Sequence, residues 1–221
     1  MLVGERMTRH PITIAPDTPV ADALKRMRQE NVRRFPVIDR KSGKLVGIVT
    51  EKELLYASPS PATSLSVHEL HYLLSKLTVD QIMTTDLVTV SDDSLIEEAA
   101  LLMIDRGVGA LPVLRGGALV GIITETDIFK TFTELFAARE EGVRLTLLVP
   151  EKRGELLEIA QAIAGLGGNI VALGTFQGED MSNRLLTIKV TRVPRMALLE
   201  ALGALDLQVV DARECLQAVA C

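Results

Sequence analysis

Along this chain, apolar residues at helical spacing alternate with short apolar runs bounded by turn residues, and that alternation predicts most of the elements. Pro11–Ala15 reads as a short extended segment. Asp17-Thr18-Pro19 opens a helix, with Thr18 as N-cap and Pro19 at the first helical position. Val20, Ala23, Leu24 and Met27 then recur at i, i+3, i+4 and i+7, one buried stripe. Val32–Ile38 and Lys44–Thr50 read as strands around the turn Lys41-Ser42-Gly43, and Glu51–Tyr56 begins a closing helix. The succession then returns. Ser94-Leu95-Ile96-Glu97 has the form of a capping box, Leu95, Ala99, Leu102 and Met103 make the stripe, and Arg115-Gly116-Gly117 turns a hairpin. Met27 and Met103 lie on apolar stripes and read as packing residues rather than ligands.

Between these two runs, Ala57–Ser64 is rich in Ser and Pro and reads as a loop. Ser66-Val67-His68-Glu69 forms another capping box, and Leu70, Leu73, Leu74 and Leu77 an amphipathic face. His68 and His71 stand at a spacing a metal accepts, but no third ligand is near, so a solvated face is the reading preferred and no metal is expected. His10 reads as a lone loop residue. Beyond Phe129, Thr131–Glu141 reads as a helical connector. Val143–Pro150 is a strand, and Arg153-Gly154 leads into a helix with Leu156, Ile159, Ala160 and Ile163 on one face, ended by Gly165-Leu166-Gly167-Gly168. Strands Asn169–Phe176 and Arg184–Thr191, a helix from Pro194 with Leu198, Leu199 and Leu202, and a strand Gln208–Ala212 complete a βαββαβ order. In so short a stretch that order means an antiparallel sheet with both helices on one face.

The two runs are copies of one unit. Leu45-Val46-Gly47-Ile48-Val49-Thr50 matches Leu119-Val120-Gly121-Ile122-Ile123-Thr124 at an offset of 74, while Met7-Thr8, Thr13, Met27 and Pro36-Val37 match Met83-Thr84, Thr89, Met103 and Pro112-Val113 at an offset of 76. A hairpin loop, Asp39–Lys44 against Leu114–Ala118, absorbs the difference cheaply. In each copy an apolar strand runs through Gly into Thr and then into acidic residues, a strand ending at a helix N-terminus. Four N–H groups there lack helical partners and the helix dipole favours an anion. Two readings follow: a phosphate at Thr124 with Asp127 accepting from sugar hydroxyls, or Thr124 as N-cap with Asp127 as a first-turn acid.

With 221 residues and 48% hydrophobic content, the chain can bury one large core or two to three small ones. No segment approaches eighteen uninterrupted apolar residues, and Met1–Pro11 carries charge without an apolar core, so neither a membrane span nor secretion is expected. A net charge of −5 and 3% aromatic content speak against a general nucleic-acid surface. Cys215 and Cys221 are the only cysteines, which indicates neither a disulfide framework nor a zinc cluster and fits a reducing, cytoplasmic location. No Ser/His/Asp or Cys/His arrangement and no Gly-rich dinucleotide loop stands out, so an enzyme is not expected and no cofactor is implied.

The copies resemble a tandem pair of CBS domains. Each has the Met-Thr start, the apolar-Pro-Val step (Phe35-Pro36-Val37 and Leu111-Pro112-Val113) and the Gly-apolar-apolar-Thr-x-x-acidic ending. The tail resembles an ACT domain, with Gly154 at its first strand–helix turn, and the combined order is similar to that of acetoin-utilisation proteins. The resemblance implies an α+β chain: two β-α-β-β-α repeats at 1–56 and 79–131, an inter-repeat linker and helix at 57–78, a connector helix at 132–142 and a ferredoxin-like ACT domain (βαββαβ) at 143–215. It also implies an adenine nucleotide or derivative (AMP, ADP, ATP or S-adenosylmethionine) as effector. One cleft would use Ile122, Thr124 and Asp127 with Ile12, Val32 and Arg33, and Arg34 as a further phosphate partner. The other would use Ile48, Thr50 and Glu53 with Val88, Val108 and Gly109. Glu53 departs from the family's Asp, so the Asp127 cleft is expected to be the better nucleotide site. Arg153 and Gly154 mark an amino-acid site, although Glu151-Lys152-Arg153 departs from the usual approach to that turn. A homodimer that controls a metabolic enzyme of acetoin or acetate metabolism is implied on the same footing; a scaffold with empty clefts is the alternative.

Overall fold

A computed structural model describes residues 1–57, 77–205 and 207–215. The expected inter-repeat helix with its capping box, His68 and His71, together with Cys221, lies outside the described residues. The chain divides into two units, Met1–Ile128 and Phe129–Cys221.

In the first unit the order is α1 (Val3–Arg6), β1 (Thr8–Arg9), α2 (Val20–Gln29), β2 (Arg34–Ile38), β3 (Leu45–Thr50) and α3 (Glu51–Ala57), then a 3-10 turn at Val79–Gln81, β4 (Val90–Ser91), α4 (Ile96–Arg106), β5 (Ala110–Arg115) and β6 (Ala118–Thr124). Helix α5 (Glu125–Leu135) follows. The duplication is visible residue by residue. Val90 pairs parallel with Val113 as Ile14 does with Val37, and both hairpins slip register once, after Val37 and after Val113. Gly116 and Gly117 take φ of 58° and 82°, the left-handed pair that a two-residue hairpin needs and that side chains with a Cβ resist.

Helix starts depart from the sequence expectation by one residue. Pro19 stands at the N-cap of α2 without a side-chain cap, so Thr18 is not the capping residue. Leu95 is the N-cap of α4, and Glu98, not Glu97, folds back so that its carboxylate accepts from Leu95 N–H at 3.0 Å. Ile96 therefore takes the buried place expected of Leu95, which is 41% exposed. Val20, Ala23 and Met27 are buried on α2, and Ala99 and Met103 on α4.

The cores do not follow the linear repeats. Val3 is fully buried among Val90, Ile96, Ala99, Met103, Leu111, Val113 and Ile123, all of the second copy. Thr8 pairs with Ile122, while Val3 N–H and Gly4 N–H donate to Ser94 O and Asp92 O. Reciprocally, Val79 is buried with Ile14, Val20, Met27, Phe35, Val37, Val49 and Leu54 of the first copy, and Thr84 bridges Ile48. Each copy thus lends its lead-in to the other, so that 1–56 and 79–131 mark the duplicated sequence while the packing exchanges their first ten residues or so. Beside this seam the Arg115 guanidinium, hydrogen-bonded to Asp92, holds that carboxyl below the usual carboxylate range.

The exchange explains the motif glycines. A Cβ on Gly121 would run into Met7, 2.9 Å from its Cγ, and would stand 3.1 Å from Thr8 O; on Gly47 it would meet Met83 Cγ at 2.9 Å and Thr84 O at 3.2 Å. Gly121→Ala is expected to cost about 1–3 kcal/mol, the range for forcing atoms into a filled core. Urea titration measures it, with Gly203→Ala, whose added carbon meets nothing within 4 Å, as the neutral or stabilising control.

The second unit carries β7 (Gly142–Pro150), α6 (Glu155–Gly165), β8 (Asn169–Gln177), β9 (Asn183–Thr191), α7 (Arg195–Gly203) and β10 (Gln208–Cys215). This is the expected βαββαβ order, in an antiparallel sheet ordered β10-β7-β9-β8. Val143, Leu145, Leu147, Val149, Leu186, Ile188 and Val190 face Ile159, Ile163, Leu198 and Leu202 in one core, so both helices cover one face. Leu156, expected on that face, is 48% exposed. The opposite face buries Thr187 and Lys189, whose Nζ donates to Ala137 O at 2.8 Å, where the chain after α5 turns through φ of 46°. The connector's helix ends at Leu135, short of Glu141.

Candidate functional site

The exchange of lead-ins places residues of one copy against the closing motif of the other, and two clefts lie among the described residues of the first unit. The larger, about 580 Å³, brings together Thr8, His10, Pro11, Ile12, Asn31, Val32, Arg33 and Arg34 with Ile122, Thr124, Glu125 and Thr126. The smaller, about 240 Å³, has Ile48, Thr50, Glu53, Thr84, Asp86, Leu87, Val88, Gly107, Val108, Gly109, Ala110 and Pro112 around it, with Arg34. Ile12, Val32, Arg33, Arg34, Ile122 and Thr124 meet in one, whereas Asp127, expected there too, stands behind Thr124 and not in the wall; Ile48, Thr50, Glu53, Val88, Val108 and Gly109 meet in the other. Only the larger falls within the roughly 300–1,000 Å³ of typical small-molecule sites.

At the head of α5, Thr124 N–H and Oγ1–H donate to Asp127 Oδ2 at 2.9 and 2.7 Å, and Asp127 N–H returns a bond to Thr124 Oγ1 at 3.4 Å. Glu125 N–H donates to Gly109 O at 3.2 Å. Three of the four N–H groups expected to be open to an anion are therefore satisfied within the chain, which corrects that expectation: Thr, acid and the neighbouring strand's carbonyl complete the tip. The Thr124 cap and the acid's capping role belong to one arrangement. Arg33 and Arg34 stand in the wall of the larger cleft. Neither makes an ion pair among the described residues.

The head of α3 repeats this plan with one change. Glu53 Oε2 accepts from Thr50 N–H and Oγ1–H at 2.6 and 2.9 Å, Arg33 O accepts from Glu51 N–H at 2.9 Å, and Glu53 Oε1 accepts from Thr84 Oγ1–H at 2.9 Å. Both oxygens of Glu53 are engaged, the longer side chain tying the lead-in of the second copy to the helix tip.

His10, dismissed from the sequence, lies in the larger cleft's wall at φ of 49°, and Asn31, Glu125 and Asp86 also line clefts unforeseen. The offset of 76 pairs His10 with Asp86 and Arg33 with Gly109, a signal present in the duplication but invisible until the clefts are drawn. In the second unit Gly154 has φ of 92° and Arg153 is exposed. The next residue, Glu155, is 5% exposed with Oε2 2.9 Å from Lys152 Nζ, and this contact raises the pKa of the Lys152 ammonium. A nearby cavity of about 290 Å³ is lined by Glu151, Gln177, Asp180, Met181, Asn183 and Arg184, with neither Arg153 nor Gly154 in its wall. Among the described residues there is no cluster of metal-ligating side chains and no helix long and apolar enough to cross a membrane.

Paired clefts between two exchanged β-α-β-β-α repeats define a class, and the CBS-domain family model matches residues 3–60 and 79–134, more than half of the chain. The chain belongs to the CBS-domain family. It is similar to a CBS domain-containing protein of Dictyostelium discoideum, 36% identical over 129 residues that make up 58% of this chain and 88% of that one. It is 33% identical to inosine-5'-monophosphate dehydrogenase of Korarchaeum cryptofilum over 138 residues, 62% of this chain but only 25% of that enzyme, so it spans about a quarter of the relative. Among solved structures, a Vibrio cholerae protein named AcuB, for acetoin utilization, matches with a TM-score of 0.51 and 31% identity, over 62% of this chain and 93% of that one.

Proposed function

We propose that the chain is a regulatory protein whose larger cleft binds an adenine nucleotide or derivative, AMP, ADP, ATP or S-adenosylmethionine, and that it catalyses no reaction itself. The observation that carries the reading is the convergence of Ile12, Val32 and Arg33 from one copy on Ile122, Thr124 and the Asp127-capped tip from the other, around about 580 Å³. Apolar walls suit a base, Arg33 and Arg34 a phosphate, and Asp127 a ribose diol. The second unit's strand order supports an ACT-like domain; dimerisation suits it better than amino-acid capture at Arg153 and Gly154, because the cavity beside that turn has neither of them in its wall. Exposed Leu101 and Ile104 on α4 support a homodimer, and the likeness to AcuB supports a cytoplasmic role in controlling a metabolic enzyme of acetoin or acetate use.

Thermal denaturation with each of the four ligands tests the reading. A ligand of the native state at 100 times its Kd adds about 2.7 kcal/mol. Asp127→Ala is expected to lower unliganded stability by about 0.5–2 kcal/mol, as loss of a cap does, and to abolish the increment from AMP, ADP or ATP. An increment that survives moves the site to Thr50 and Glu53; none with any ligand leaves the scaffold.

A further inference from the structure

The two clefts differ in charge as well as in size, and the charge difference arises at equivalent positions of the duplicated unit. Where the first copy has His10 and Arg33, the second has Asp86 and Gly109. His10 and Arg33 line the larger cleft, with Arg34 and Glu125; Asp86 and Gly109 line the smaller, with Glu53 and Arg34. Arg34 belongs to both walls. Its guanidinium and the Glu125 carboxylate both border Gly109, where an added Cβ would stand 2.6 Å from Nη2 and 2.8 Å from Glu125 Oε2. In the larger cleft Arg33 and Arg34 therefore stand against Glu125 and the Asp127 cap at its tip, while in the smaller only the shared Arg34 stands against Glu53 and Asp86.

The acids of the smaller cleft cannot withdraw together. Glu53 is fixed by bonds from Thr50 N–H, Thr50 Oγ1–H and Thr84 Oγ1–H, and turning it away would uncap α3 and release the lead-in. A phosphate there would meet fixed negative charge in a confined space, where like charges repel more strongly than in bulk water.

We propose that the clefts sort ligands by charge: the larger takes the phosphorylated nucleotide, and the smaller takes an uncharged or cationic nucleoside and excludes phosphate. This deepens the adenine-ligand reading and rests on it. One chain would then report two kinds of adenosine compound at once rather than two copies of one.

Calorimetric titration of the full chain tests the proposal. The wild type is expected to bind one AMP per chain, and the AMP-saturated protein one further adenosine or S-adenosylmethionine without releasing AMP. Asp86→Lys, at an exposed position, is expected to admit a second AMP. Arg33→Ala, also exposed, is expected to weaken AMP about tenfold or more, the loss of a charge-assisted hydrogen bond, and to leave the second ligand unchanged. Two AMP of similar affinity on the wild type, a nucleoside that only displaces AMP, or an Asp86→Lys chain still limited to one AMP would each overturn the sorting while leaving nucleotide binding intact. A chain that binds neither AMP nor adenosine overturns the nucleotide reading itself, and the sorting falls with it.

Discussion

Val3→Asp is expected to destabilise the second repeat, although residue 3 belongs to the first by sequence. Val3 has no exposed surface and lies against Ile96, Leu111, Val113 and Ile123. An uncompensated carboxylate there costs about 3–5 kcal/mol, the range for a buried charge left without a partner. Hydrogen exchange gives the decisive readout. Protection is expected to fall in β5, β6 and α4, and to persist in β2, β3 and α2, whose core holds Val79 instead. The reverse pattern would show that the lead-ins are not exchanged. The effect has a pH sign as well. Burial raises the introduced carboxyl's pKa above its unfolded value, so the folded state holds the proton more tightly and the loss of stability shrinks as pH falls towards the unfolded carboxylate range.

Phe35→Ala carries the other large effect. Phe35 is fully buried between α2 and β3, opposite Val49, with the Arg26 guanidinium 5.8 Å from its ring centroid. Truncation loses the ring's transfer free energy and leaves a cavity, together about 3–5 kcal/mol. The urea midpoint should drop with an unchanged slope, the mark of lost stability rather than a changed unfolded state. A loss below about 1 kcal/mol would mean that the surrounding Val20, Met27 and Val37 collapse into the space, contrary to the packed core drawn here.

The larger cleft lies next to these two cores, and its walls are the ends of the strands that they hold. Ile12 and Val32 pack against the first core, while Ile122 is nearly buried beside the second. Destabilising either core is therefore expected to loosen one wall of the cleft, so ligand titrations of core variants belong below their melting range.

Much of the fold was legible in order along the chain. Period-3.6 stripes on α2 and α4, the alternation in β7 and β9, and the glycine pair at Gly116-Gly117 are local signals, because each element must bury one face and each turn must adopt a left-handed backbone. The duplication, being a relation between residue identities, needed no coordinates; of the residues that the family resemblance implied for the clefts, six stand in each wall, while Asp127 stands behind Thr124 as its cap. Capping was read less well: a shift of one residue moved the box from Glu97 to Glu98 and the buried position from Leu95 to Ile96, since one residue turns a helix by about 100° and only packing chooses the register.

What the tertiary structure alone decided is which copy each lead-in serves, and from that everything about the clefts' charge. Thr8 pairs with Ile122 rather than Ile48, and Thr84 with Ile48 rather than Ile122. Both pairings present the same residue types to the same glycine-threaded strand, so no local pattern distinguishes them. Long-range pairing is chosen by how the whole cores close, and with it His10 and Arg33 came to one cleft, Asp86 and Gly109 to the other.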